Sequence, residues 1–216
     1  GMETPMCHPG GLWHRPLGDY AAFLREHGFN AVRVPLAADA LTSLMDHPCM
    51  ALGENRMAAR GNNPDFLGVS YVDELAQLVK TLGEYGILVL LDMHVVEAGK
   101  WPDGGYVDTD GEAQLSAAWQ VVARRLCDPH EYWNVFAADL QNEPHASSWG
   151  KNPATDWNKA AERIGNHVLG LCPRWLIMVE GVGFTPGPKK HFRTGDIARW
   201  HADGLLQRVW ADWVGW

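Results

Sequence analysis

The chain has 216 residues, of which 46% are hydrophobic and 20% are charged, and its formal net charge is −8. This length and composition predict one globular domain over residues 1–216 with a sizeable core. The negative charge argues against a nucleic acid or an anionic membrane as a partner, and no apolar run approaches the roughly 20 residues that span a bilayer.

Helices and strands are predicted to alternate along the chain. Their order is helix 16–28, strand 29–36, helix 71–86, strand 87–94, helix 111–127, strand 134–144, helix 155–172 and strand 174–183. The strand at 87–94 is almost continuously apolar, which is typical of a strand buried on both faces of a parallel sheet. Thr155 is the predicted N-cap of the fourth helix. Repeated helix–strand units of this kind imply right-handed crossovers and a parallel sheet.

The polar residues of these strands favour a barrel over a doubly wound sheet. No glycine-rich nucleotide-binding motif follows a strand. Polar residues instead stand toward the carboxyl ends of all four strands: Arg33, His94, Asn142, Glu143 and Glu180. A (β/α)₈ barrel builds its active site from that rim with several strands, whereas an open sheet uses one switch point.

Glu143 is the candidate general acid, in the Asn-Glu-Pro that ends the third strand. A buried carboxyl near another carboxylate can keep its proton at neutral pH. The alternative is that these three residues only make a turn, which asparagine and proline favour. The planar guanidinium of Arg33 could fix a catalytic carboxylate, or Arg33 could take part in a structural ion pair. His94 is either a satisfied buried histidine or a rim residue of the site.

Other residue types leave more than one interpretation open. Eleven tryptophans are about four times a usual share. Some must pack in the core, and others could stack on sugar rings. The four cysteines could form disulfides or remain buried thiols: Cys7, Cys49, Cys127 and Cys172. The histidines show no zinc-binding motif, and we expect neither a metal nor a cofactor.

Six stretches, taken in order, resemble glycoside hydrolase family 5, and in particular its bacterial-type endo-β-1,4-glucanases. They are GMETPMCHPGGLWHR, LREHGFNAVRVPL, LVLLDMH, FAADLQNEPH, DWNKAAERIGNHVL and LIMVEGVG. The resemblance implies a (β/α)₈ barrel of the TIM type and a retaining mechanism that uses two carboxylates. It implies that Glu143 is the acid/base, that Asn142 binds the 2-hydroxyl of the sugar, and that Arg33 and His94 orient these groups. Trp13 and His145 would bind the substrate.

The sequence departs from the family after residue 183, where the stretch that carries the nucleophilic glutamate does not appear, and before residue 1, where the family has its first strand. We therefore expect a partial barrel of about four βα units, either a piece of a complete hydrolase or a free-standing one. Glu180 does not match the family's nucleophile. Open sheet edges could cause self-association, or the tail at 200–216 could cover them.

The expected function is a secreted cellulase-like hydrolase of β-1,4-glucan, with the location inferred from the substrate class. The alternative is a catalytically inactive, carbohydrate-binding barrel fragment that uses Trp13 and the rim without chemistry. A barrel aldolase is disfavoured, since no predicted strand carries a lysine for a Schiff base.

Overall fold

The computed structural model describes residues 1–43, 45–100, 109–144, 147–150, 152–182 and 209–210. Its helices are α1 (Leu17–Glu26), α2 (Ala38–Thr42), α3 (Pro48–Ala58), α4 (Tyr71–Glu84), α5 (Thr109–Leu126) and α6 (Trp157–Leu171). Its strands are β1 (Ala31–Ala37), β2 (Leu88–Val95), β3 (Val135–Asp139), β4 (Leu176–Met178) and β5 (Val209–Trp210). A 3₁₀ turn covers Pro64–Phe66. Within these ranges, no helix combines the length and the apolar character needed to cross a membrane.

The five strands form one parallel sheet in which each strand lies beside the next one along the chain, in the order β1-β2-β3-β4-β5. A doubly wound sheet would reverse its order at a switch point, so this progression confirms the predicted partial (β/α) barrel. The register places Asp92 of β2 beside Asp139 of β3. Two acidic side chains therefore stand side by side close to the carboxyl edge of the sheet.

The core lies between this sheet and the helices that cover it. Helix α4 is capped by Ser70, whose hydroxyl accepts the N–H of Asp73 at 3.3 Å. Its buried face includes Leu75, Val79 and Leu82. Among the tryptophans whose burial the structure describes, three are fully buried: Trp119, Trp157 and Trp175. Part of the tryptophan excess is thus explained by packing.

Two core tryptophans also hold the loops at the carboxyl edge of the sheet. The indole N–H of Trp119 in α5 donates to the backbone oxygen of Leu140 at 3.2 Å. The indole N–H of Trp157 in α6 donates to the backbone oxygen of Glu180 at 2.9 Å. Leu140 directly follows β3 and Glu180 lies two residues after the end of β4, so the helices fix the segments that begin the rim.

Several predicted boundaries are corrected by the structure. Strand β3 ends at Asp139 rather than at 144, and β4 ends at Met178 rather than at 183. The predicted cap at Thr155 is wrong, because α6 begins after Asp156 and the hydroxyl of Thr155 lies 3.0 Å from that of Ser148. Helices α2 and α3 were not predicted.

The tail differs from expectation where it is described. No strand was predicted after residue 183, but Val209–Trp210 forms strand β5 and pairs with β4. The proposed covering of the open face by residues 200–216 otherwise lies outside the described residues.

Two disulfides resolve the alternatives left open for the cysteines. Cys7 is joined to Cys49, which ties the N-terminal segment to α3 across a sequence separation of 42. Cys127 is joined to Cys172, which ties the end of α5 to the end of α6 across a separation of 45.

Candidate active site

Consecutive strands deliver the candidate site residues to one edge of the sheet. Strand β1 carries Arg33, and β2 carries Asp92 and His94. Strand β3 ends in Asp139. Further candidates follow on the loops after β3 and β4: Asn142, Glu143 and Glu180. Parallel strands present their carboxyl ends on the same side, so residues more than 100 positions apart in sequence meet there.

The guanidinium of Arg33 is the centre of this cluster. Its Nη2 lies 2.7 Å from Oδ2 of Asp139, 2.6 Å from Oε1 of Glu180 and 3.1 Å from Oδ1 of Asp92. The three carboxylate side chains are only 5, 8 and 0% exposed, respectively, while that of Arg33 is 34% exposed. One partly exposed cation therefore faces three buried acids, and buried acids of this kind require such a partner.

Burial makes the three acids harder to ionise. It raises the pKa of Asp139 well above the ordinary value, and the charges of Glu180 and Asp92 raise it further, against the effect of Arg33. Burial also raises the pKa of Asp92 and that of Glu180. The side chain of Asp139 in turn lowers the pKa of Glu180. Since one guanidinium cannot balance three neighbouring negative charges, Asp139 is the acid of this group that holds a proton most readily.

His94 joins the cluster through Asp92. Its Nδ1 lies 2.7 Å from Oδ2 of Asp92, and its side chain is 22% exposed. An ionised carboxylate can only accept a hydrogen bond, so Nδ1 carries the hydrogen and the lone pair of a neutral ring is on Nε2. Asp92 thus sets the tautomer of His94 while its other oxygen faces Arg33.

Asn142 is oriented by two contacts. Its backbone N–H donates to the oxygen of Met93 at 3.0 Å. Its Oδ1 accepts from Nη2 of Arg33 at 3.0 Å. Because the amide oxygen faces Arg33, the amide nitrogen is the group that would donate to a ligand.

Glu143 has an unusual backbone conformation for a residue other than glycine, with φ at 37°. Its backbone N–H donates to Oε2 of Glu180 at 2.9 Å. Glu143 is half-buried, between buried Asn142 and buried Pro144. The Asn-Glu-Pro stretch is therefore a turn, as one interpretation held, but a turn tied by a buried carboxylate to the cluster around Arg33.

Neither predicted substrate-binding residue belongs to the cluster as the structure describes it. The side chain of Trp13 is half-buried, and the guanidinium of Arg56 stacks 4.3 Å from its ring centroid. The backbone oxygen of Trp13 accepts from the side chain of Asn62 at 2.9 Å. His145 lies outside the described residues. The structure thus brings together Arg33, Asn142 and, through Asp92 and Glu180, His94 and Glu143.

The acids that complete the cluster received no role in the predicted site. Asp92 and Asp139 were not among the predicted site residues, and the structure shows them as partners of Arg33. Glu180 was placed on the rim without a role, and its Oε2 accepts the backbone N–H of Glu143. Asp92 and Glu180 stand near the carboxyl ends of predicted strands, which was the available signal. Asp139 stands in the middle of the predicted strand 134–144 and gave no such signal, because the observed strand ends there.

A second cluster has metal-ligating residue types. Cys7, His47 and Cys49 offer ligand atoms within 4.8 Å of one another. Nε2 of His47 lies 2.8 Å from Oδ2 of Asp39. Thiolates are the metal ligands, whereas the two sulfurs here are joined in a disulfide. No zinc-binding spacing marks this set, which is why the sequence did not reveal it.

Comparisons with known proteins agree with this architecture. The family model "Cellulase (glycosyl hydrolase family 5)" matches residues 1–206. An endoglucanase of Paenibacillus polymyxa is 33% identical over 184 residues, which are 84% of this chain and 44% of that protein. The major extracellular endoglucanase of Xanthomonas campestris pv. campestris is 35% identical over 194 residues, which are 86% of this chain and 37% of that protein.

Solved structures show the same likeness. The catalytic domain of the Xanthomonas campestris pv. campestris major endoglucanase superposes with a TM-score of 0.76 at 31% identity, covering 100% of this chain and 61% of that one. An endocellulase from Pyrococcus horikoshii superposes with a TM-score of 0.70 at 35% identity, covering 84% of this chain and 49% of that one.

The match therefore extends along most of this chain but over a smaller share of its relatives. The chain spans less than half the length of the two curated endoglucanases, 44% and 37% respectively. The family match covers residues 1–206, well over half of the chain, and the partial barrel and its rim agree with it. This chain belongs to glycosyl hydrolase family 5, the cellulase family.

Proposed function

We propose that this chain carries the acid/base half of the active site of a retaining hydrolase of β-1,4-linked glucan. The observation that carries the proposal is the Asn142–Glu143 turn at the end of β3, held by Arg33 and Glu180. Relatives named as endoglucanases support the reaction class. A variant of the Pyrococcus horikoshii endocellulase, solved with cellotetraose, supports a β-glucan as substrate.

The roles follow from the donor and acceptor atoms of each side chain. Glu143 protonates the leaving glycosidic oxygen in the first step and removes a proton from water in the second. The amide nitrogen of Asn142 donates to a hydroxyl of the sugar, because its oxygen is occupied by Arg33. His94 accepts from a substrate hydroxyl at Nε2, since its Nδ1–H faces Asp92.

A retaining mechanism also requires a nucleophilic carboxylate about 5–5.5 Å from the acid/base. Both oxygens of Glu180 already accept hydrogen bonds, from Arg33 and from the backbone of Glu143. Asp92 and Asp139 are buried against Arg33. None of these carboxylates suits nucleophilic attack, and the proposal places the nucleophile outside the described residues.

The proposed substrate also suggests where the protein acts. Polymeric glucan is outside the cell, and one relative is named an extracellular endoglucanase. Secretion is therefore part of the proposal. Self-association through sheet edges stays a prediction.

The test is a hybrid barrel in which this chain replaces the matched part of the Xanthomonas campestris catalytic domain, which supplies the remaining strands. We expect the hybrid to hydrolyse cellotetraose and to lose about 10²–10⁴-fold in rate on Glu143→Gln, the usual scale of general acid–base catalysis. An aryl cellobioside with a good leaving group should lose much less, because its departure needs little protonation. Glu131→Gln, at an exposed glutamate paired with Lys80, is the control and should change neither rate.

Three results would contradict the proposal. Equal losses on both substrates would exclude an acid role for Glu143. A folded hybrid that binds cellotetraose without hydrolysing it would favour the inactive, carbohydrate-binding alternative. Turnover of an aryl cellobioside by the 216-residue chain alone, abolished by Glu180→Gln, would make Glu180 a nucleophile.

A further inference from the structure

We propose that Glu180 is the positioning residue of this site, whose carboxylate holds the backbone of Glu143 in its left-handed conformation and so aims the acid/base side chain. The inference rests on the proposed role of Glu143. Glu180 itself does not touch the reacting atoms. Its part is to connect the cation at the centre of the cluster with the loop that carries the acid.

The two oxygens of Glu180 are divided between these tasks. Oε1 accepts from Nη2 of Arg33 at 2.6 Å, and Oε2 accepts the backbone N–H of Glu143 at 2.9 Å. The side chain is only 8% exposed, so water competes little for either oxygen. The backbone oxygen of Glu180 accepts from the buried indole of Trp157 at 2.9 Å. Glu180 is thus held at both ends, and the Glu143 amide is held by it.

The conformation of Glu143 explains why such a contact is needed. A side chain other than glycine keeps a positive φ only where its surroundings fix it, and φ of Glu143 is 37°. The preceding amides bond elsewhere: that of Leu140 to the oxygen of Met178 at 3.1 Å, and that of Asn142 to the oxygen of Met93 at 3.0 Å. The amide of Glu143 bonds instead to a side chain, that of Glu180. Since φ sets the direction of Cα–Cβ, losing that bond would release the acid.

The charge state of Glu180 suits this role. Burial raises its pKa, while the Glu143 amide, Arg33 and the side chain of Asp139 all oppose that rise. The pKa of Asp139 is raised well above its ordinary value by burial and by Glu180. Of the two acids, Asp139 therefore holds a proton more readily, and Glu180 is the better anionic acceptor.

The experiment compares two neighbouring amides in the 216-residue chain by NMR hydrogen exchange. Glutamine in Glu180→Gln has one acceptor atom where the carboxylate has two, so it can serve Arg33 or Glu143 but not both. We expect the Glu143 amide to exchange about tenfold faster or more and to shift upfield. The Asn142 amide, bonded to Met93, should change by less than about threefold. Glu131→Gln should change neither amide.

If exchange rises by the same factor at both amides, Glu180 only stabilises the fold and the inference is overturned. Unchanged exchange at the Glu143 amide would also overturn it. If Glu180→Gln does not fold, Glu180→Asp keeps the charge on a side chain one carbon shorter. It should then show the same selective loss at Glu143.

Kinetics in the hybrid barrel separate this inference from the proposed function. Glu180→Gln should lower kcat on cellotetraose more than on the aryl cellobioside, with KM little changed. The double variant Glu143→Gln/Glu180→Gln should be no slower than Glu143→Gln alone, because Glu180 acts through Glu143. Additive losses would overturn the inference alone. Failure of Glu143→Gln to distinguish the two substrates would overturn the proposed function, while the exchange result would still decide whether Glu180 holds the turn.

Discussion

Replacing Arg33 with methionine removes the guanidinium that faces three buried carboxylates. Methionine keeps much of the length and apolar stem of arginine, so the change acts mainly on charge and hydrogen bonding. Removing one partner of a buried ion pair costs about 3–5 kcal/mol, since the remaining charge is left without compensation. We expect a loss of that size in the free energy of unfolding at pH 7.5, because Asp92, Asp139 and Glu180 are 0, 5 and 8% exposed.

The loss in free energy of unfolding caused by Arg33→Met should be smaller in mild acid, because the carboxyls of the cluster bind protons there. Burial raises the pKa of Asp139, Asp92 and Glu180, so the folded chain binds more protons than the unfolded chain just above their ordinary values. Stability therefore falls as pH rises through that window. Arg33 lowers the pKa of all three carboxyls. Its removal therefore extends to higher pH the range in which the folded chain binds more protons than the unfolded chain. One extra proton held between pH 5 and pH 7.5 corresponds to at most about 3.4 kcal/mol.

We therefore expect the loss caused by Arg33→Met to be about 2–3 kcal/mol smaller at pH 5 than at pH 7.5. The assay is urea unfolding followed by tryptophan fluorescence at the two pH values. Arg163→Met is the matched control, because Arg163 is 53% exposed and pairs with Glu112 at 2.6 Å. An exposed pair contributes about 0–1 kcal/mol, so the control should lose little at either pH. Equal losses from Arg33→Met at both pH values would refute the argument that the cluster is a proton-sharing site.

The same urea assay checks two further predictions. His8 and Glu74 form a buried ion pair. Burial lowers the pKa of His8, but Glu74 and the oxygen of Met50 raise it, and the pKa lies above its ordinary value overall. The contribution of His8 to the free energy of unfolding is therefore full below pH 6.5 and is lost as pH rises through the raised pKa. His8→Asn/Glu74→Gln should flatten the fall in stability above pH 6.5, and an unchanged slope would exclude this pair as its source. Removal of the second disulfide by Cys127→Ala/Cys172→Ala should cost about 4 kcal/mol for a separation of 45 residues, and a loss below about 1 kcal/mol would contradict its role as a cross-link of α5 and α6.

The parallel sheet was predictable because its signals are local. The runs that became β1 and β2 are apolar, bounded by glycine and polar residues, and were predicted to within two residues at each end. The end of β3 was not predictable in this way. Leu140 is apolar and fully buried like the strand before it, but its carbonyl accepts from Trp119 and the chain then turns. That contact joins residues 21 positions apart and leaves no local mark.

Long-range pairings limited the prediction of the site in the same way. Arg33, Asn142 and Glu143 could be placed on one rim, since strand ends in a parallel sheet coincide. The partners of Arg33 could not be chosen from the available acids, because Asp139 and Glu180 lie 106 and 147 positions away. Disulfide pairing had the same limit, since four cysteines allow three connectivities. Helix α3 was missed because its apolar residues show weak helical periodicity and its start depends on the side chain of His47, which accepts from Cys49.

The placement of Glu143 is best understood as a product of the whole partial barrel rather than of one loop. The carbonyl of Leu140 is held by Trp119 of α5, and its amide by Met178 of β4. The amide of Asn142 is held by Met93 of β2, and that of Glu143 by Glu180, which Trp157 of α6 holds in turn. Contacts from four elements, α5, β4, β2 and α6, thus hold one turn. A general acid must stay within hydrogen-bonding reach of the oxygen that it protonates, and a left-handed turn held from several directions meets that requirement with little freedom left to the side chain.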